Sequence, residues 1–125
     1  MTMTDANKPG KHSLAEIIQS LDLTLLTQPQ DFSASIPTAG YTSDLLSCVM
    51  ANASHQGIWI TLQAHTNIVA VAALLDLCAV IVSEGALPDP ATIQKANQEG
   101  VVLLSTPKTS FHIVGKLWEM GLRAE

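Results

Sequence analysis

From His12 to Gln94 the chain has not one lysine or arginine, while Glu16, Asp22, Asp31, Asp44, Asp76, Glu84 and Asp89 all fall there. Nucleic-acid binding rests on neutralising phosphates with basic side chains, so the composition argues against such a partner. The same absence limits nucleotide binding in this stretch. A phosphate there would rely on backbone N–H groups and helix N-termini, each worth typically ~0.3–1 kcal/mol. No G-x-x-x-x-G-K-[ST] run occurs, and Gly10-Lys11-His12-Ser13 lacks both the earlier glycine and the spacing. A P-loop kinase is excluded.

Other shortages narrow the class further. Charged residues make up 14% of the 125 positions, against a usual share of about 25%. So few charges imply apolar surface covered by a partner, most simply a second copy of the chain. The two cysteines, Cys48 and Cys78, lie in apolar runs rather than in a spaced framework, which suits free thiols in a reducing cytoplasm. The first residues, MTMTDANKPGKH, contain no apolar signal-peptide core. The most apolar stretch, Ile68 to Val82, is interrupted by Asp76 and is too short to span a bilayer. Four histidines and two cysteines show no paired metal-ligand spacing, and no cofactor motif is present.

What is present reads as one α/β domain. Residues 1–11 are polar and carry Pro9-Gly10, the mark of a loose tail, which leaves residues 12–125 as a single domain. Ser13 and Glu16 make a capping box for a helix with Leu14, Ile17, Ile18 and Leu21 on one face. Leu23 to Leu26 predicts a strand. Phe32, Ala34 and Ile36 alternate with serines and predict a second, half-buried strand. Gly40 leads into a helix capped by Ser43 or Asp44, with Leu45, Leu46, Val49, Met50 and Ala53 inward.

Strand Ile58 to Leu62, a helix from Thr66 to Leu75 and strand Ala79 to Val82 follow. Asp89-Pro90 opens a helix that Gly100 ends. Strand Val101 to Leu104 precedes a last helix capped by Thr109 or Ser110, with Ile113, Val114, Leu117 and Trp118 inward. Strands and helices alternating over short loops imply a mainly parallel sheet with helices on both faces, a three-layer domain.

Ligands of open α/β sheets sit at the carboxyl ends of strands, beside helix N-termini. There the chain places Gln63, His65 and Asn67, an amide–imidazole–amide cluster able to hydrogen-bond a small polar metabolite. A structural reading stands beside it: Thr66 or Asn67 caps the helix and His65 bonds a carbonyl. Ser43 and Asp44 end a second strand-to-helix connection, where capping alone explains them. Ser83 begins a third, Ser83-Glu84-Gly85, in which a turn needing positive φ accounts for Gly85. Ser43, His65 and Asp44 could be imagined as a triad, but nothing resembles a nucleophile elbow. Ile68 to Leu75 leaves no polar helix face, so a second subunit is expected to cover it.

Two segments, GYTSDLLSCVMANA (Gly40 to Ala53) and WITLQAHTNIVAVAALLD (Trp59 to Asp76), resemble the stand-alone DRTGG-domain family. The later AVIVSEGALPDPATIQKANQEGVVLLSTPKTSF is similar to the non-catalytic N-terminal domain of HPr kinase/phosphorylase and to the regulatory domain of some phosphotransacetylases. The resemblance covers Gly40 to Gly121 well and the first 36 residues loosely. It implies a dimeric regulatory or ligand-sensing domain without established chemistry, accessory to an iron-only hydrogenase or a related anaerobic redox system. Where the family has T-G-G, this chain has Ser83-Glu84-Gly85, and the Glu84 carboxylate would repel an anion. Two alternatives to a metabolite sensor remain: a structural subunit of a redox complex, or a small enzyme with His65 as general base and Asp44 or Glu84 assisting.

Overall fold

The computed structural model describes residues 11–124. Most of the expected tail therefore lies outside the described residues. Five strands form one sheet: β1 (Thr24–Leu25), β2 (Gly40–Thr42), β3 (Ile58–Thr61), β4 (Ala79–Val82) and β5 (Leu103–Ser105), in the order β1-β5-β4-β3-β2. β2 to β5 are parallel, and β1 alone runs antiparallel, against β5. The fold is the expected α/β architecture.

Helices α2 (Leu46–Asn52), α3 (Asn67–Leu74) and α4 (Pro90–Glu99) connect the parallel strands. The strand order advances one step at a time, so right-handed crossovers deliver all three to one face. Trp59, Val80, Val82 and Leu103 point to that face and pack with Val49, Ile68, Val69 and Ala96. Alternate residues Ile58, Ile60, Ile81 and Leu104 point to the other face. There they meet α1 (Leu14–Ser20) and α5 (Ser110–Glu119) through Leu14, Ile17, Ile113 and Leu117. Strand period two thus divides one apolar sheet between two cores.

Several local expectations hold. Ser13 and Glu16 form the capping box, Asp89 caps α4 with proline in its first turn, and Gly100 ends it in the left-handed region. Thr109 caps α5 through the His112 N–H.

Others need correction. The alternating Phe32–Ile36 segment is a 3-10 turn over Phe32–Ala34, because the Asp31 carboxylate takes both the N–H and the hydroxyl of Ser33. That local bond outcompetes strand pairing. Gly40 starts a strand, not a helix, and α2 begins after Leu45 with no side-chain cap. Leu45, Met50 and Trp118, expected inward, are 60%, 48% and 53% exposed.

α3 also differs from expectation. The sheet, α2 and α4 cover most of it, burying Ile68, Val69, Val71 and Ala72. Only a narrow line of Thr66, Ala70 and Leu74, at four-residue spacing, faces outward. A helix without a polar face therefore finds nearly all its cover within the chain.

Candidate functional site

The carboxyl ends of β2, β3 and β4 bring together Ser43, Asp44, Gln63 and Ser83 in a hydrogen-bonded rim. Asp44 reaches across to the end of β3, where its carboxylate accepts from the Thr61 hydroxyl at 2.7 Å and the Leu62 N–H at 2.9 Å. It does not cap α2. Gln63 returns the link, donating its side-chain amide to the Asp44 carbonyl at 3.0 Å. Ser43 Oγ accepts from the Leu45 N–H, and the Ser43 carbonyl accepts from the Trp59 indole at 2.8 Å. Trp59 is wholly buried, so one core side chain anchors the β2–α2 connection.

Ser83 belongs to the same lattice. Wholly buried, it bonds the Thr61 carbonyl through its N–H at 2.9 Å and shares a 2.6 Å bond with the Ser110 hydroxyl. Glu84 then supplies what a bound anion would supply elsewhere: its carboxylate accepts from the Ser110 N–H at 2.7 Å, at the start of α5. To do so, Glu84 adopts φ 64°, followed by Gly85 at 75°. An L-residue in that region costs about 1–2 kcal/mol. The charge-assisted bond to a helix N-terminus offsets part of that.

His65 and Asn67 stand apart from this lattice. His65 Nδ1 accepts the Asn67 N–H at 3.3 Å, at the start of α3. Neither Thr66 nor Asn67 provides a side-chain cap. The Asn67 Oδ1 is buried and has no hydrogen-bond partner among the described residues. Backbone donation from Thr92 holds the Asp89 carboxyl below its ordinary value, with a smaller contribution from nearby His65. Ser43, His65 and Asp44 make no hydrogen bonds to one another, so no triad is assembled.

Among the described residues no group of three or more His, Cys, Asp or Glu side chains is placed to hold a metal ion. Cys48 and Cys78 are free, and burial pushes the Cys78 thiol up to about 11. No described helix is long and apolar enough to cross a membrane.

Two of the larger grooves among the described residues lie elsewhere. One of about 320 Å³ separates the start of α1 from the end of α5 and includes Lys11, His12, Ile36 and Met120. Another of about 260 Å³ runs between β2 and α5, walled by Ile60, Val114, Leu117, Trp118 and Leu122. Arg123 lines both. None of Ser43, Asp44, Gln63, His65, Asn67 or Ser83 lines either one. Sequence reasoning missed both grooves. The available signal was Trp118 and Arg123, an aromatic and the chain's sole arginine, one turn apart at the end of α5.

No family model and no curated protein matches the chain. Among solved structures it is similar to the CBS and DRTGG domains of the regulatory region of a Clostridium perfringens pyrophosphatase, complexed with its activator diadenosine tetraphosphate. The TM-score is 0.70 at 18% identity, over 96% of this chain and 49% of that one. The chain thus spans about half the length of that neighbour. The likeness is one of fold, and it agrees with the DRTGG resemblance.

Proposed function

We propose that this chain is a non-catalytic regulatory domain of the DRTGG type that senses a small polar metabolite at the carboxyl end of its sheet. His65 and Asn67 contact the ligand, while Gln63, Ser43, Asp44 and Ser83 hold the strand ends in register. The observation that carries this reading is the buried Asn67 Oδ1 without a partner. Buried acceptors are nearly always satisfied, and a donor from a bound molecule would satisfy this one. The same regulatory role for a domain of this fold in the pyrophosphatase supports it.

The test is native mass spectrometry of the protein purified without added ligand, followed by the His65→Ala/Asn67→Ala pair. A retained small-molecule mass that disappears in the double variant supports the reading. Unchanged retention moves the site elsewhere.

A second reading rests on Leu74, 69% exposed at the C-terminal end of the outward line of α3. In it, this line docks a second copy or a redox-complex partner such as an anaerobic hydrogenase system. Sedimentation of Leu74→Ser against the parent chain separates the two: an oligomer lost on substitution favours docking.

A further inference from the structure

The groove between β2 and α5 combines three features. The first is an apolar slot beside the sheet edge. On the α5 side, β2 presents only Gly40 and Thr42, since Tyr41 packs on the opposite face. Ile60, Val114, Leu117 and Trp118 enclose the slot, and the Leu122 side chain closes it beside Gly40, 3.1 Å from where a Cβ there would stand.

The second is a strand edge at the slot that is only partly paired among the described residues. Ile58 donates to the Ala39 carbonyl and Ser43 donates to the Ile60 carbonyl, so residues 39, 41 and 43 face β3. Residues 40 and 42 face outward. The Gly40 N–H is taken by the Arg123 carbonyl at 2.8 Å. The Gly40 carbonyl and the Thr42 N–H have no backbone partner among the described residues. An acceptor followed by a donor along one line complements the edge of a nucleobase.

The third is charge. Arg123 stacks over the Trp118 ring at 4.2 Å and bonds the Trp118 carbonyl, and no described carboxylate pairs with it. Neither groove is lined by an aspartate or glutamate, and Lys11 and His12 stand in the neighbouring one, where His12 is paired to Glu16. Arg123 and Lys11 line these grooves, while Lys95, Lys108 and Lys116 lie outside them.

We propose that the β2–α5 groove binds a nucleoside monophosphate. The base lies in the slot against Ile60, Val114 and Leu117, its edge on the Gly40 carbonyl and the Thr42 N–H. The phosphate meets Arg123, whose planar fork suits its oxygens. The barrier to nucleotide binding read from residues 12–94 does not apply, because the cation comes from outside that stretch. This site is separate from the His65/Asn67 contacts and stands whether or not they bind a ligand.

The experiment is a titration of the isotope-labelled full chain with AMP, GMP, CMP and UMP, read by amide and indole resonances, with ribose 5-phosphate and adenosine as partial probes. At least one nucleotide is expected to shift Gly40, Thr42, Val114 and the Trp118 indole at concentrations of about 1 mM or below. It should bind about tenfold more tightly than either partial probe. Arg123→Glu should weaken it by about tenfold, Arg123→Gln by less, and Lys95→Glu on α4, the same charge change on the opposite face, not at all.

Val114→Trp should fill the slot and abolish binding while leaving the His65/Asn67 resonances in place. Several results would overturn the proposal. They are the absence of any shift, equal affinity for ribose 5-phosphate, shifts centred on His65 and Asn67, or equal weakening by Arg123→Glu and Lys95→Glu.

Discussion

At the carboxyl ends of β3 and β4, Thr61 and Ser83 are wholly buried, yet their hydroxyls are bonded to Asp44 and Ser110. At the β2–α5 edge, the Thr42 N–H and the Gly40 carbonyl face outward with no backbone partner among the described residues, beside an apolar slot. The polar region is closed and the apolar region is open. Crowded polar side chains therefore mark where the fold needs hydrogen bonds, and ligand space opens where residues are missing or small. Asn67 is the exception that keeps the carboxyl end in contention.

Asp44→Ala attacks the closed region hardest. It leaves the buried Thr61 hydroxyl and the Leu62 N–H without their acceptor and should cost about 1–3 kcal/mol in chemical denaturation. A loss below about 0.5 kcal/mol would mean that the rim is not a structural lattice.

Glu84 gives a finer comparison. Glu84→Ala keeps the left-handed strain and loses the contact with α5, for an expected loss of about 0.5–1 kcal/mol. Glu84→Gly removes the strain as well, so its stability should lie above that of Glu84→Ala by about 1 kcal/mol. Equal stabilities would refute the strain argument.

At the open surface, Leu74→Ser should change monomer stability by no more than about 0.5 kcal/mol, since it lies on the outward line. A large loss that depends on protein concentration would show that α3 is covered by a second copy.

The smallest effect concerns acid. Hydrogen bonds from Thr92 lower the Asp89 carboxyl from 3.8. A depressed carboxylate contributes stability above its unfolded value, and that contribution is lost as pH falls through the lower folded value. Asp89→Asn should therefore narrow the stability difference between pH 6 and acid in denaturation series, a slope set by proton uptake. An unchanged slope below the ordinary aspartate range would contradict the assignment.

Most of the sheet and most helices were legible because their signals are local: short apolar runs such as Ile58 to Leu62 and Ala79 to Val82, Asp89-Pro90, Gly100 and the Ser13–Glu16 box. Phe32 to Ile36 misled because a single Asp31 side chain redirected the backbone. Asp44 misled for the opposite reason. Its type suits a cap, but its partners lie 17 and 18 residues away on β3, which no local pattern encodes. The apolarity of α3 was legible, and its cover by α2 and α4 was not, because that depends on strand order. The β2–α5 groove was invisible for a related reason: Gly40 and Thr42 become a floor only when β2 takes the sheet edge.

Amide hydrogen exchange, resolved residue by residue on the ligand-free protein, tests the contrast between closed rim and open edge most directly. The Leu62, Ser83 and Ser110 N–H groups, each held by a rim acceptor, should exchange at least about 100-fold more slowly than the Thr42 N–H. Fast exchange at the three rim amides together with protection at Thr42 would contradict it, since the rim would then be the open region and the β2 edge already covered.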